Sequence, residues 1–156
     1  MYSKRYSIFN KHIGGSNQLP QGFHGLNSLL SPKNKMSDEA RALLTEWSTQ
    51  SEVEVVLKGG TDEELEALFS ALQEIDSIPS AKFNEPDLRN SCTIVTFVAS
   101  ERIVAGGILL RGNRVSSFDA EEFLYNNPVK VGNDFVELTK DEIFVVVNTA
   151  FLHLAN

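Results

Sequence analysis

One cysteine, Cys92, stands among 156 residues, so the chain cannot form an intramolecular disulfide. No apolar run approaches the ~20 residues that a membrane-spanning helix needs. The start, Met1-Tyr2-Ser3-Lys4-Arg5, is basic, but no long apolar core follows it, so no secretory signal is expected. With that and a lone thiol, a reducing cytoplasm is the expected compartment, with no membrane partner. The three histidines, His12, His24 and His153, share no ligand spacing with the cysteine, so neither a metal nor a cofactor is expected. Gly-x-Ser-x-Gly, His-Glu-x-x-His and Cys-x-x-Cys are all missing, which removes several common enzyme classes. Gly14-Gly15 fits neither a Walker loop nor a dinucleotide fingerprint.

Acidic residues are missing from one part of the chain. The first 36 residues hold Lys4, Arg5, Lys11, Lys33 and Lys35 and no carboxylate, whereas the rest sets nine bases against all 21 acids. The formal charge of −7 opposes indiscriminate binding to a polyanion, yet this polarity lets one face approach phosphate while the other stays solvated. The plainer alternative is that five basic side chains solubilise a loop-rich segment.

The patterning is that of an α/β protein. Lys4–His12 alternates as a first strand, and Pro20 suits the first turn of a helix reaching about Leu30. Ser37 caps a helix striped with Ala40, Leu43, Leu44 and Trp47. Val53–Lys58 is a short β-branched strand, and Thr61-Asp62-Glu63-Glu64 reads as a capping box before Leu65, Leu68, Leu72 and Ile75. Ala81–Phe83 and Cys92–Val98 are strands, the second central. Ile103–Leu110 is interrupted by Gly106-Gly107 and reads either as strand or as bent helix. Phe118–Tyr125 is a short helix. A second capping box, Thr139-Lys140-Asp141-Glu142, opens a terminal helix whose stripe runs from Ile143 to Leu154. No repeat or interdomain linker interrupts residues 1–156, which read as one domain.

Three side chains carry the candidate chemistry. His24, in Gln21-Gly22-Phe23-His24-Gly25, is of the residue type most used for general acid–base work; the alternative is a surface or capping histidine. Gln21 lies one helical turn earlier on the same face. Asp87, in Glu85-Pro86-Asp87-Leu88-Arg89-Asn90, sits in a loop stiffened by proline beside the central strand. It reads as a ligand contact or as an ordinary turn residue.

Val55-Val56-Leu57-Lys58-Gly59-Gly60-Thr61-Asp62-Glu63-Glu64-Leu65, Ile78–Phe83 and Cys92–Val98 resemble, in order and pattern, the archaeal and eukaryotic (second structural) class of peptidyl-tRNA hydrolases. Ile13-Gly14 and Gln21-Gly22-Phe23-His24 resemble that family's loop and the start of its first long helix, where a Gln-x-x-His pair faces the active site. Glu85-Pro86-Asp87-Leu88-x-Asn90 resembles a loop of divergent superfamily members. The resemblance spans roughly residues 4–100. It implies a four-stranded mixed β-sheet with helices on both faces, here followed by a C-terminal extension, residues 101–156, ending in a helix.

The resemblance also implies hydrolysis of the ester that joins a peptide to tRNA, with no obligatory metal. By position, His24, Gln21 and Asp87 become the catalytic group. Lys11, Asn17, Lys33, Lys35, Arg89 and Asn90 become the substrate-binding group, and tRNA becomes the partner. Asn17 stands where the family carries a basic residue, and Phe23 and Pro20 replace small ones. The rival expectation is a non-catalytic RNA- or protein-binding module on the same fold. In it, residues 101–156 cover the old cleft or form a protein interface.

Overall fold

The structure is a computed structural model that describes residues 3–154. Four strands form a mixed sheet in the order β2(Val53–Lys58), β1(Lys4–Phe9), β4(Ser91–Ala99), β3(Ser80–Glu85). β1 and β2 are parallel, with Ile8 opposite Leu57, while β4 runs antiparallel to both β1 and β3. A two-residue strand, β7(His153–Leu154), adds to the free edge of β2. The parallel β1–β2 pair requires a crossover, supplied by α1(Gln18–Leu30) and α2(Asp38–Glu46). α3(Asp62–Gln73) leads from β2 to the opposite edge of the sheet.

Helices cover both faces. On one, Leu65, Leu68 and Leu72 of α3 pack against Ile8, Leu57, Val95 and Phe97. Phe97 is fully buried, and removing such a side chain from water is worth about 2–3 kcal/mol. On the other face, Leu29 of α1 and Leu44 and Trp47 at the end of α2 pack on Val98. Ser37 caps α2 by accepting from Ala40 N at 3.1 Å. At Thr61 only half of the expected box forms: the hydroxyl accepts from Glu64 N at 3.3 Å, without the reciprocal carboxylate bond.

Residues 101–156 extend the α3 face. α4(Glu101–Gly112) is a helix, so of the two expected alternatives the helical one holds, and Gly106 marks a close crossing. A Cβ at Gly106 would lie 2.9 Å from Val146 Cγ2 of α6(Lys140–Ala150). α6 opens with the anticipated capping box at Thr139 and Glu142. Its β-branched run stays helical because Val145 and Val146 are buried against the core, which outweighs propensity. The helix ends at Ala150 rather than Leu154, and the chain turns into β7. Glu142, 3% exposed, also receives Arg102 bidentately, at 2.7 and 2.9 Å, which ties α4 to α6. α5(Ala120–Asn126) and the hairpin β5(Val129–Val131)–β6(Asp134–Val136) complete this layer. α6 packs on α3, α4 and α5, on the sheet face opposite α1. Among the described residues no helix is long and apolar enough to cross a membrane.

Candidate functional site

β1 and β3 point the same way and finish at the same end of the sheet, where the loop after β1 and the β3–β4 hairpin converge, a usual place for ligand-binding residues in α/β folds. α1 lies over β3 and β4. It approaches closely because residue 25 is glycine: a Cβ there would meet Ile94 Cδ1 at 2.9 Å. That approach brings the flank of α1 carrying Gln21 and His24 onto the sheet.

Gln21 is buried and held at both ends of its amide. Its Nε2 donates to Glu85 Oε2 at 2.9 Å, and its Oε1 accepts from Thr93 Oγ1 at 2.6 Å. Thr93 faces α1 because β4 bulges there. Phe83 pairs with Ile94 and Asn84 pairs with Cys92, so Thr93 is the extra residue between them. Bulges re-aim side chains in this way. Thr93 and Ile94 consequently both point toward α1, while Cys92 turns toward α3.

His24, half-buried, stacks on Phe83 with ring centroids 4.2 Å apart and planes 12° from parallel. Its ring makes no hydrogen bond among the described residues, so an aromatic ring rather than a carboxylate orients it. Asp87 occupies the single helical turn Pro86–Leu88 and is exposed. Arg89 and Asn90 follow with φ of +56° and +59°, two non-glycine residues in succession in the left-handed region. Each such residue costs about 1 kcal/mol or more, and strain of this kind clusters at functional loops.

A cavity of about 360 Å³ lies beside this hairpin, lined by Asn10, His12, Asp87, Arg89 and Thr93 among others. Thr93 thus joins the cavity to the Gln21 network. Asn10 fixes the opposite wall: its Nδ2 donates to Cys92 O at 3.0 Å and its Oδ1 accepts from His12 N at 3.0 Å.

Asp87 and Arg89 meet at this cavity, and Gln21 adjoins it through Thr93, whereas His24, stacked on Phe83, does not line it. Lys11 is exposed next to His12, its amide donating to Gly60 O at 2.9 Å. Asn17 is exposed at the start of α1, and Asn90 closes the hairpin by donating its N–H to Glu85 O at 3.1 Å. Lys33 and Lys35 are not brought here. They follow the far end of α1, where Asn34 Nδ2 donates to Ser80 O at the beginning of β3. A 13-residue helix, about 20 Å long, separates them from the hairpin. His12, Glu85, Thr93 and Asn10 were not singled out from the sequence. β1 ends at Phe9 rather than reaching His12, so Asn10 and His12 lie in the loop after the strand, a usual place for ligand contacts. Thr93 had no signal, since the bulge is not written in the local pattern.

On the other face, Asp62, Glu66 and Cys92 bring possible ligand atoms within 4.8 Å of one another. Their carboxylates already accept hydrogen bonds from within the fold. Glu66 accepts from Lys82 at 2.5 Å and Asn84 at 3.1 Å, and Asp62 accepts from Cys92 N at 2.5 Å. Burial would raise the Glu66 carboxyl, but the bonds from Lys82 and Asn84 outweigh it and hold it below its usual range. Burial, with Glu66 adding to it, pushes the Cys92 thiol up to about 12, so it stays protonated and is a poor nucleophile.

No family model matches the chain, and no curated protein matches it.

Proposed function

We propose that the protein is a hydrolase of the peptidyl-tRNA hydrolase type, acting on the ester between a peptide and the 3′ end of tRNA. The observation that carries this reading is the convergence of the Gln21–His24 flank of α1 with the Thr93–Glu85–Asp87 end of the β3–β4 hairpin, beside exposed Lys11. In this reading water adds to the ester carbonyl and gives its proton to His24. The bond to the ribose 3′ oxygen then breaks, and that oxygen takes the proton back from His24 as the peptide carboxylate leaves. Gln21 Nε2 has a second N–H beyond the one given to Glu85, and it is the candidate donor to the developing oxyanion. Asp87 orients water or substrate from the hairpin, and Lys11 and Arg89 meet phosphates, which position without specifying sequence.

One observation favours a second reading, a non-catalytic RNA-binding module: His24 has no hydrogen-bond partner among the described residues to set its tautomer. The two separate in one assay. N-acetylaminoacyl-tRNA is incubated with the purified protein and with His24→Ala, both checked for folding by circular dichroism. Turnover by the first and at least ~100-fold less by the second is the expected result for a general base. Equal rates remove His24 from the mechanism. No turnover by either, with retained tRNA binding, replaces the enzyme by the binding module.

A further inference from the structure

The flank of α1 opposite Gln21 and His24 borders a second cavity, of about 420 Å³, over β1 and β2. Phe9 and Val56 form its sheet side, and Leu19 and Phe23 its helix side. Leu19 is 68% and Phe23 59% exposed, so two large apolar side chains of one helix stand in water at its rim. The volume falls within the ~300–1,000 Å³ typical of small-molecule sites.

Arg5 also lines this cavity and is only 4% exposed. Its Nη2 donates to Glu54 Oε1 at 2.5 Å, and the guanidinium lies 5.1 Å from the Trp47 ring centroid. Its Nε and Nη1 are buried and have no hydrogen-bond partner among the described residues. Buried donors without acceptors are rare in folded proteins and ask for an explanation. Glu54 does not supply one, because Oε1 is already shared with Ser7 Oγ at 2.8 Å, and the Glu54 side chain is 35% exposed.

We propose that this cavity binds a small carboxylate with an apolar body. The carboxylate pairs with Arg5, and the body lies between Val56 and the Leu19–Phe23 wall. A guanidinium presents a planar fork that matches a carboxylate, and what it lacks here is acceptors. An amine would repel the guanidinium and leave Arg5 Nε and Nη1 without acceptors. A phosphate would need a second cation, and Arg5 is the single cationic side chain among the lining residues. Glu54, the exposed member of the pair, gives way to the ligand, while Arg5 stays under Trp47. The proposal does not rest on the hydrolase reading, since the cavity lies on the other flank of the helix.

Trp47 is the chain's one tryptophan and stacks on Arg5, so its fluorescence reports on the site. Octanoate, octanamide and octylamine, each below its micelle-forming concentration, are titrated against the full chain. Octanoate is expected to give a saturable change in Trp47 emission, and the other two to bind about tenfold or more weakly, as loss of a charge-assisted hydrogen bond requires. Phe23→Glu, at an exposed position that the fold does not need, is expected to weaken octanoate by a similar factor. Arg5→Gln is expected to abolish the difference between the three probes. Should that variant not fold, the head-group series and Phe23→Glu decide. A non-saturating response to octanoate, equal binding of octylamine, or an unchanged Phe23→Glu variant overturns the proposal.

Discussion

Thr93 Oγ1 donates to Gln21 Oε1 at 2.6 Å, joining a strand and a helix 72 residues apart, and it does so from a bulge. Without the extra residue in β4, alternation would turn this side chain to the α3 face, and the Gln21 amide would lose one of its two anchors. The bulge therefore fixes which way the amide nitrogen points.

Replacing Thr93 by Val keeps the shape and removes the donor. Gln21 then retains Glu85 alone and gains freedom to rotate. A stability loss of about 1–2 kcal/mol is expected from the unmet buried acceptor, measurable by urea denaturation. Hydrolysis of peptidyl-tRNA is expected to lose kcat with little change in KM, because the amide serves the transition state in the proposed reaction. An unchanged kcat would remove Gln21 from that role.

Gly25→Ala sets two effects against each other. Helix propensity gains about 1 kcal/mol when glycine becomes alanine. The new Cβ would meet Ile94 Cδ1 at 2.9 Å and Cγ2 at 3.2 Å, and Ile94 is fully buried. Overpacking of this kind costs about 1–3 kcal/mol, so a lower unfolding midpoint is expected. Ile94→Val in the same chain, which removes the nearer methyl, is expected to recover part of it.

Acid should loosen the α4–α6 pair. Burial would raise the Glu142 carboxyl, but the hydrogen bonds from Arg102 and the Thr139 backbone prevail and hold it below its usual range. A depressed folded value means stabilisation that is complete above the ordinary carboxylate range and is lost as pH falls through the folded value. Thermal midpoints are expected to drop on acidification below about pH 4, and Glu142→Gln should flatten that dependence. Arg102 is one-third exposed, so solvent screening limits the loss at neutral pH to roughly 2 kcal/mol.

The basic residues divide by position. Lys11 stands beside the cavity, whereas Lys33 and Lys35 lie a helix length away. Lys11→Ala is expected to weaken tRNA binding and to lower the slope of log affinity against log salt by about 0.7–0.9. The double change Lys33→Ala, Lys35→Ala is expected to leave that affinity and its salt slope nearly unaltered. Filter binding across a salt series measures both, and the reverse ranking would relocate the phosphate path.

Much of the framework was legible because its signals are local. The Val53–Lys58 strand, the Ser37 and Thr139 caps and the Gln21–His24 spacing follow from residue types within one turn or one strand. The β5–β6 hairpin carries a local signal too: Gly132-Asn133, between Val131 and Asp134, is a recognised two-residue turn, and Gly132 adopts φ +62° there. The Ile103–Leu110 ambiguity had a different source. A glycine pair breaks a strand pattern and a helix pattern equally, and only the presence of Val146 across from Gly106 gives it a helical use.

The acid-free N-terminal segment, the types of the elements from β1 to β4 and the one-turn separation of Gln21 from His24 are properties of the sequence itself, since charge and periodicity are counted along the chain. Tertiary structure alone decided that Lys33 and Lys35 leave the site, that Glu85 and Thr93 enter it, and that Arg5 is buried with donors to spare. Those outcomes depend on which strand ends meet and on a one-residue bulge that moves a side chain to the other face. No local pattern encodes either, because the residues that make contact are dozens of positions apart.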